Sequence, residues 1–168
     1  ELAYFDRLTG LPNRQLFLDR LGSSLALAKR HNTRCAVIYF DVDNFKATND
    51  LLGRDAGDEL LRALSGRLTG ILRQADSAGH LGSDEFAIIV SDLASDSDAA
   101  VVARKLMAEL EKPLTVAGQE VIVTISMGIS TCPDDTETAE TLLHQAEIAT
   151  LRAKEAGRNC YQYYAATM

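Results

Sequence analysis

Two carboxylates, Asp41 and Asp43, follow a short apolar run and stand a few residues before a lysine, Lys46. Carboxylate oxygens are the ligands that a hard cation such as Mg²⁺ prefers, and one or two of them usually bind it together with water and phosphate. An EF-hand loop is excluded, because Phe45 and Lys46 occupy positions that need an oxygen ligand and a glycine. The segment 41–46 is therefore either a Mg²⁺ site, with Asp41 as the ligand, or a solvated strand end.

A second acidic pair, Asp84 and Glu85, follows Gly82 in a segment whose length and composition are typical of a hairpin turn. Taken alone, this pair is an ordinary solvated turn. Together with Asp41 at a neighbouring strand end, it would share one divalent cation, which neutralises a triphosphate and polarises its α-phosphoryl group.

Two basic residues, Lys154 and Arg158, lie four positions apart at the end of a predicted helix, where they would reach phosphate oxygens from one side. Stabilisation of the helix C-terminus by positive charge is the alternative interpretation. The chain has a formal net charge of -7, which repels nucleic acid and anionic membrane. A phosphate ligand must therefore bind at a local basic cluster such as this one.

The elements that would position these residues are helices interleaved with hairpins. Apolar periodicity, glycine and proline predict helices over 13–31, 60–72, 97–112 and 138–156, and strands over 35–41, 77–81, 86–90, 114–116, 121–125 and 160–164. Adjacent hairpins combined with helical crossovers predict an α+β fold with a mixed or largely antiparallel sheet, and exclude a strictly alternating doubly wound fold.

Length and composition restrict the class of protein. At 168 residues and 46% hydrophobic content, the chain is expected to form a single domain over 1–168. Its cysteines, Cys35, Cys132 and Cys160, lack metal-ligand spacing and predict buried or half-buried thiols in a reducing compartment. No signal peptide and no run of roughly 18 apolar residues is present, which predicts a cytoplasmic domain whose parent protein is still free to carry a membrane anchor.

Several spaced motifs, taken in order, resemble those of the GGDEF (diguanylate cyclase) family over essentially the whole chain. They are Asp6-Arg-Leu-Thr-Gly-Leu-Pro-Asn-Arg14, segment 41–50, Gly57-Asp58, Gly82-Ser-Asp-Glu-Phe86, Ser126-Met-Gly128 and Ala153-Lys-Glu-Ala-Gly-Arg-Asn159. The resemblance implies a nucleotidyl cyclase-like sheet of about five strands surrounded by helices, with an additional β-hairpin. It also implies condensation of two GTP molecules into cyclic di-GMP by a homodimer, in which each 3′-hydroxyl attacks the partner's α-phosphate.

The resemblance assigns roles by position. The implied catalytic and metal-binding groups, for Mg²⁺ or Mn²⁺, are Asp41, the Val42 carbonyl, Asp84 and Glu85. The implied phosphate-binding residues are Phe45, Lys46, Gly82, Ser83, Lys154 and Arg158. Asn49 and Asp58 would bind guanine, because a carboxylate accepts hydrogen bonds from its N1–H and exocyclic amine.

An inhibitory site for cyclic di-GMP is implied by the segment 73–76, which has the RxxD form at the family's spacing before the signature. Arg73 would clamp phosphate or stack on guanine, and Asp76 would accept hydrogen bonds from the base. An ordinary ion pair at a helix end is the alternative.

The chain departs from the family pattern at four positions, His80, Arg54, Leu151 and, within the signature, Ser83 in place of the second glycine. If position 83 needs a positive φ, a side chain there costs roughly 1–2 kcal/mol and obstructs the nucleotide. We therefore expect the domain to bind GTP rather than to convert it rapidly into cyclic di-GMP.

Two functions follow from the resemblance. One is a working, slow cyclase. The alternative is a catalytically inactive GTP- or cyclic di-GMP-binding domain that regulates an adjoining EAL phosphodiesterase domain, with sensory domains elsewhere in the parent protein.

Overall fold

The computed structural model of the chain describes residues 4–168, so the first three residues of the expected 1–168 domain lie outside the described part. The helices are α1 (Arg14–His31), α2 (Phe45–Leu52), α3 (Arg54–Ile71), α4 (Asp98–Leu110) and α5 (Ala139–Glu155). The strands are β1 (Arg34–Val42), β2 (Ser77–Gly82), β3 (Glu85–Leu93), β4 (Leu114–Val116), β5 (Gln119–Val121), β6 (Ile125–Cys132) and β7 (Tyr161–Tyr163). None of these helices has the length and hydropathy needed to cross a membrane.

The central sheet has five strands in the order β2-β3-β1-β6-β7, and β4 and β5 form a separate hairpin. Only the β6–β7 pair is parallel among the strand pairs of residues 4–168. This arrangement confirms the predicted α+β fold with a mixed, largely antiparallel sheet and an additional hairpin.

Helices cover both faces of the sheet, and β1 shows how its residues divide between them. Ile38 and Phe40 belong to the buried cluster formed with α3 and α4. Val37 and Tyr39 belong to the second cluster, formed with α1 and α5. Because side chains alternate along a strand, Asp41 points to the α1 and α5 face, and its carboxylate meets α5.

Gly128 allows α5 to pack directly on the backbone of β6. A Cβ atom at this position would lie 2.1 Å from the Ala146 carbonyl oxygen and 2.4 Å from the Thr150 amide nitrogen. Both contacts are with backbone atoms, which have no room to move within a packed helix. The absence of a side chain at position 128 therefore fixes the height of α5, and with it the position of Lys154, above the sheet.

Two elements differ from the sequence-based expectations. Helix α2 was not predicted, because Phe45 is its only buried residue and Leu51 is 83% exposed, so the segment has no apolar stripe. The strand predicted over 121–125 covers only the last residue of β5 and the first of β6, which residues 122–124 separate, so most of β6 was not predicted. Every residue of β6 is buried, so the segment shows no alternation of polar and apolar residues.

Candidate functional site

An open cleft of about 720 Å³ lies where the end of β1, the start of α2, the β2–β3 turn and the end of α5 meet. Eight of the residues selected from the sequence line it, namely Val42, Phe45, Lys46, Asn49, Ser83, Asp84, Lys154 and Arg158. Residues 112 positions apart in the chain, Val42 and Lys154, thus face one volume. Asp41 and Glu85 lie at its base on the adjacent strands β1 and β3, where they are directly paired in the antiparallel register.

Asp41 is a buried carboxylate with one oxygen engaged and one free. Its Oδ2 accepts a hydrogen bond from the Lys154 ammonium group, whereas its Oδ1 is buried without a hydrogen-bond partner. Burial raises the pKa of Asp41 to about 6, although the neighbouring Lys154 opposes the rise. A buried carboxylate oxygen without a partner is costly, and a second positive ligand would remove that cost.

The β2–β3 turn carries the altered signature residue in a left-handed conformation. Ser83 has a φ of 44°, and Gly82 before it has a φ of 133°. Position 83 therefore has the positive φ that the sequence analysis considered, and the serine side chain is strained there. Burial raises the pKa of Asp84, and the positive charge of Lys154 opposes the rise.

Asp43 has a different role from Asp41, although the two residues are close together in the sequence. Its Oδ1 accepts a hydrogen bond from Ser126 Oγ at 2.5 Å, and its Oδ2 accepts from Thr124 Oγ1 at 2.6 Å and the Asn159 amide at 3.1 Å. These three bonds connect the end of β1 to the start of β6 and to the segment after α5. Asp43 is therefore a buried structural group, and Asp41 is the available ligand.

The predicted phosphate-binding pair Phe45 and Lys46 opens helix α2 instead of lying in a loop. Phe45 is buried in the core cluster, so its side chain is directed away from a ligand and only its backbone N–H is available to one. Lys46 is exposed at the edge of the cleft. The N-terminus of a helix favours anions, which suits phosphate at this end of the cleft.

Asn49 and Asp58 are brought to one place by the packing of α2 on α3. A Cβ atom at Gly57 would lie 1.7 Å from Asn49 Oδ1, so a side chain at position 57 would displace the Asn49 amide. Asn49 Oδ1 is buried and has no hydrogen-bond partner. Asp58 follows Gly57 on α3 and is half-buried, but it does not line the cleft itself.

Arg73 and Asp76 lie away from the cleft. They precede the first residue of β2, whereas the signature turn follows the last residue of this strand, at its other end. Asp76 Oδ1 accepts from Arg73 Nη2 at 2.9 Å, and Arg73 also donates to the Ser91 carbonyl at 2.6 Å. The Asp76 side chain is 3% exposed and that of Arg73 is 52% exposed. A buried acid therefore holds an accessible guanidinium in place, which is compatible with both the ion-pair and the inhibitory-site interpretations.

His80 connects the signature turn to the N-terminal motif. Its Nε2 donates a hydrogen bond to the Ser83 carbonyl at 2.7 Å, and its Nδ1 lies 2.9 Å from Asp6 Oδ2. His80 is buried, and its amide donates to the Pro12 carbonyl at 3.0 Å. The residue that departs from the family pattern thus holds the turn against segment 6–12.

Tyr39 was missed by the sequence analysis, which assigned it only to a buried strand. Its hydroxyl donates a hydrogen bond to Glu85 Oε1 at 2.8 Å. The signal was available, since Tyr39 stands two residues before Asp41 and must share its face of the sheet.

The acidic groups suit Mg²⁺ or Mn²⁺ by their chemistry. Hard cations prefer carboxylate and carbonyl oxygens, and the unpartnered Oδ1 of Asp41 is such an oxygen in a buried position. Within residues 4–168, no three acidic, histidine or cysteine side chains already converge as a metal site, and Lys154 supplies the positive charge beside Asp41. A cation held by Asp41, Val42, Asp84 and Glu85 would use the free Oδ1 of Asp41, beside the Lys154 ammonium group on Oδ2.

Comparison with known proteins identifies the family. Residues 3–160 match the family model described as "Diguanylate cyclase, GGDEF domain". The chain is 38% identical over 168 residues to the bifunctional diguanylate cyclase/cyclic di-GMP phosphodiesterase MucR of Pseudomonas aeruginosa, covering 100% of this chain and 24% of MucR. It is 39% identical over 157 residues to the diguanylate cyclase TpbB of the same species, covering 93% of this chain and 36% of TpbB.

Solved structures agree with these sequence matches. The structure of the GGDEF domain of TpbB superposes with a TM-score of 0.92 at 37% identity and covers 96% of this chain and 94% of that one. The GGDEF domain of DgcB from Caulobacter crescentus, in complex with cyclic di-GMP, has a TM-score of 0.88 at 25% identity and covers 98% of this chain and 94% of that one. The chain spans only about a quarter to a third of MucR and TpbB. It belongs to the GGDEF family, the diguanylate cyclase-type domains of cyclic di-GMP signalling.

Proposed function

We propose that this domain binds GTP together with Mg²⁺ or Mn²⁺ and condenses two GTP molecules slowly into cyclic di-GMP. The observation that carries the proposal is the pairing at the base of the cleft, where a buried Asp41 has one oxygen free and the other bound to a lysine. A carboxylate beside an ammonium group offers an oxygen ligand for a cation and a charged hydrogen-bond donor for a phosphate at the same point.

Different residues around the cleft bind different parts of the nucleotide. Lys154 and Arg158 bind phosphate oxygens from the end of α5, and the N-terminus of α2 with Lys46 binds them from the opposite side. Asn49 and Asp58 bind guanine through the acceptors that select it over adenine. The bound cation supplies charge neutralisation and polarisation of the α-phosphoryl group.

Condensation requires two copies of the domain, because one active site holds one GTP and the attacking 3′-hydroxyl belongs to the other. A homodimer is therefore part of the proposal. The similarity to the diguanylate cyclase TpbB over 93% of this chain supports it.

Nucleotide selectivity tests the binding step. We expect calorimetry with Mn²⁺ to show at least tenfold tighter binding of GTP than of ATP, because Asp58 accepts hydrogen bonds that adenine does not supply. Asp58→Asn should remove this preference, since an amide replaces one acceptor by a donor. The matched control is Asp55→Asn, at an exposed position in the first turn of the same helix. Equal affinity for GTP and ATP in the unmodified domain would contradict the proposal.

A regulatory role is the second candidate, and the left-handed Ser83 is the observation that favours it. In this role the domain binds GTP or cyclic di-GMP without turnover and controls an adjoining EAL phosphodiesterase domain in a cytoplasmic part of the parent protein. The bifunctional relative MucR, of which the chain covers 24%, supports such an arrangement.

We further propose that Arg73 and Asp76 bind cyclic di-GMP as an inhibitory site. The exposed guanidinium held by a buried carboxylate supports this role, as does the cyclic di-GMP complex of the related DgcB domain. Arg73→Ala should weaken cyclic di-GMP binding at least tenfold in calorimetry, because a charge-assisted contact to phosphate is lost. GTP affinity should not change. The control is Arg62→Ala, an exposed arginine on α3, and unchanged cyclic di-GMP affinity in Arg73→Ala would refute the assignment.

A further inference from the structure

Tyr39 is buried next to the acidic groups of the cleft without lining the cleft itself. Its side chain is 1% exposed and lies in the cluster formed with α1 and α5. Its hydroxyl donates to Glu85 Oε1 at 2.8 Å, and Glu85 is the residue paired with Asp41 across the strands. Tyr39, Asp41 and Glu85 thus share one face of the sheet beneath α5.

The tyrosine is held rigidly from two directions. Its ring is packed in the core, and its carbonyl oxygen accepts a hydrogen bond from Thr150 Oγ1 of α5 at 3.3 Å. A ring fixed in this way places its hydroxyl at one point, and the Glu85 side chain is oriented by the bond that it makes there. Glu85 otherwise begins strand β3 at the edge of the turn, where its side chain is only half-buried.

The hydroxyl acts only as a donor to Glu85. An ionised carboxylate oxygen can only accept a hydrogen bond, and Oε1 lies 2.8 Å from the hydroxyl. The proton therefore stays on the tyrosine. Oε1 accepts this bond, so Oε2 is the oxygen of Glu85 that stays open to another ligand.

We propose that Tyr39 is a positioning residue for the metal site, which orients the Glu85 carboxylate toward a divalent cation shared with Asp41. The inference rests on the proposed binding of GTP with a metal ion. Hydrogen bonds to carboxylate ligands of a metal typically change its affinity by tenfold or more. The expected role is therefore in metal affinity and not in nucleotide recognition.

The test is the Mn²⁺ dependence of GTP binding in Tyr39→Phe, which removes the hydroxyl and keeps the ring. We expect the Mn²⁺ concentration for half-maximal binding to rise about tenfold, with GTP affinity at saturating Mn²⁺ nearly unchanged. The matched control is Tyr161→Phe on β7. It removes a hydroxyl that accepts a hydrogen bond from Arg104 at 3.1 Å. This control should keep the Mn²⁺ dependence of the unmodified domain.

A double-mutant cycle separates positioning from a general structural effect. In a Glu85→Gln background, Tyr39→Phe should shift the Mn²⁺ midpoint by less than twofold, because the bond acts through the Glu85 carboxylate. Three results would overturn the inference alone. They are an unshifted Mn²⁺ midpoint in Tyr39→Phe, an equal shift in Tyr161→Phe, and a full tenfold shift in the Glu85→Gln background. Failure of the unmodified domain to bind GTP with Mn²⁺ would overturn the proposed function and the inference together.

Discussion

Asp41→Asn should abolish the metal-dependent part of GTP binding, with a loss of at least a hundredfold, and should make the metal-free domain more stable at pH 8. The loss follows because an amide oxygen is a neutral and weaker ligand for a hard cation than the carboxylate with the free Oδ1. Calorimetry with GTP, in the presence and absence of Mg²⁺, measures it. In the unmodified domain, binding should weaken as the pH falls below about 6, because protonated Asp41 cannot act as an anionic ligand.

The gain in stability follows from the direction of the pKa shift. Burial raises the pKa of Asp41 to about 6, so the folded domain binds this proton more tightly than the unfolded chain does. The stability that protonation contributes is fully present below the unfolded pKa of about 4 and is lost as the pH rises through about 6. Asparagine resembles the protonated acid at every pH, so Asp41→Asn should gain about 1–3 kcal/mol at pH 8 and nothing at pH 4.

Urea unfolding of metal-free protein at the two pH values measures this difference. Asp19→Asn, at an exposed position of α1, is the control and should change stability by less than about 0.5 kcal/mol. A variant that retains metal-dependent GTP binding would remove Asp41 from the site. A variant less stable than the unmodified domain at pH 8 would show that the Lys154 pair outweighs the cost of burial.

Ser83→Gly should increase the rate of cyclic di-GMP formation about tenfold, and Asp84→Ala should remove the product altogether. Glycine removes the side chain that would obstruct the nucleotide, and it adopts a φ of 44° without the roughly 1–2 kcal/mol of strain that serine has there. Chromatography of concentrated protein incubated with GTP and Mg²⁺ measures the product. The Asp84→Ala variant tests whether any product depends on the acid of the turn.

The outcomes distinguish the two candidate functions. Slow product from the unmodified chain, lost in Asp84→Ala, supports the cyclase. Product that appears only after Ser83→Gly supports the regulatory domain, because the scaffold is then competent and the serine alone prevents turnover. Absence of product from both chains, with GTP binding intact, would contradict the proposed condensation.

The sequence predicted the elements that have clear periodicity and failed where it is absent. Helix α1, predicted over 13–31, begins after Asn13, whose side chain caps it by accepting a hydrogen bond from the Leu16 amide at 3.1 Å. Helix α2 escaped detection because its stability comes from packing on α3 around Gly57, a tertiary contact that leaves no apolar stripe. Most of β6 was not predicted, because every residue of the strand is buried and the segment shows no alternation.

The site was predicted in its residue types but not in the state of each residue. Sequence spacing placed Asp41 and Asp43 together, and only their hydrogen-bond partners separate a ligand from a structural group. The contact of Tyr39 with Glu85 depends on strand register, which local sequence does not specify. The strain at Ser83, in contrast, was expected from the glycine that the family has there, and its φ is positive.

The bond between Lys154 and Asp41 affects how a metal ion would bind in the cleft. Lys154 belongs to α5 and lies beside Asp41, so a free magnesium ion that binds the open Oδ1 is repelled by the neighbouring ammonium group. A nucleotide that carries its own magnesium also delivers phosphates, which give Lys154 a second anionic partner and offset this repulsion. Free magnesium alone would therefore bind weakly, and under the proposed function the metal and the nucleotide would bind together.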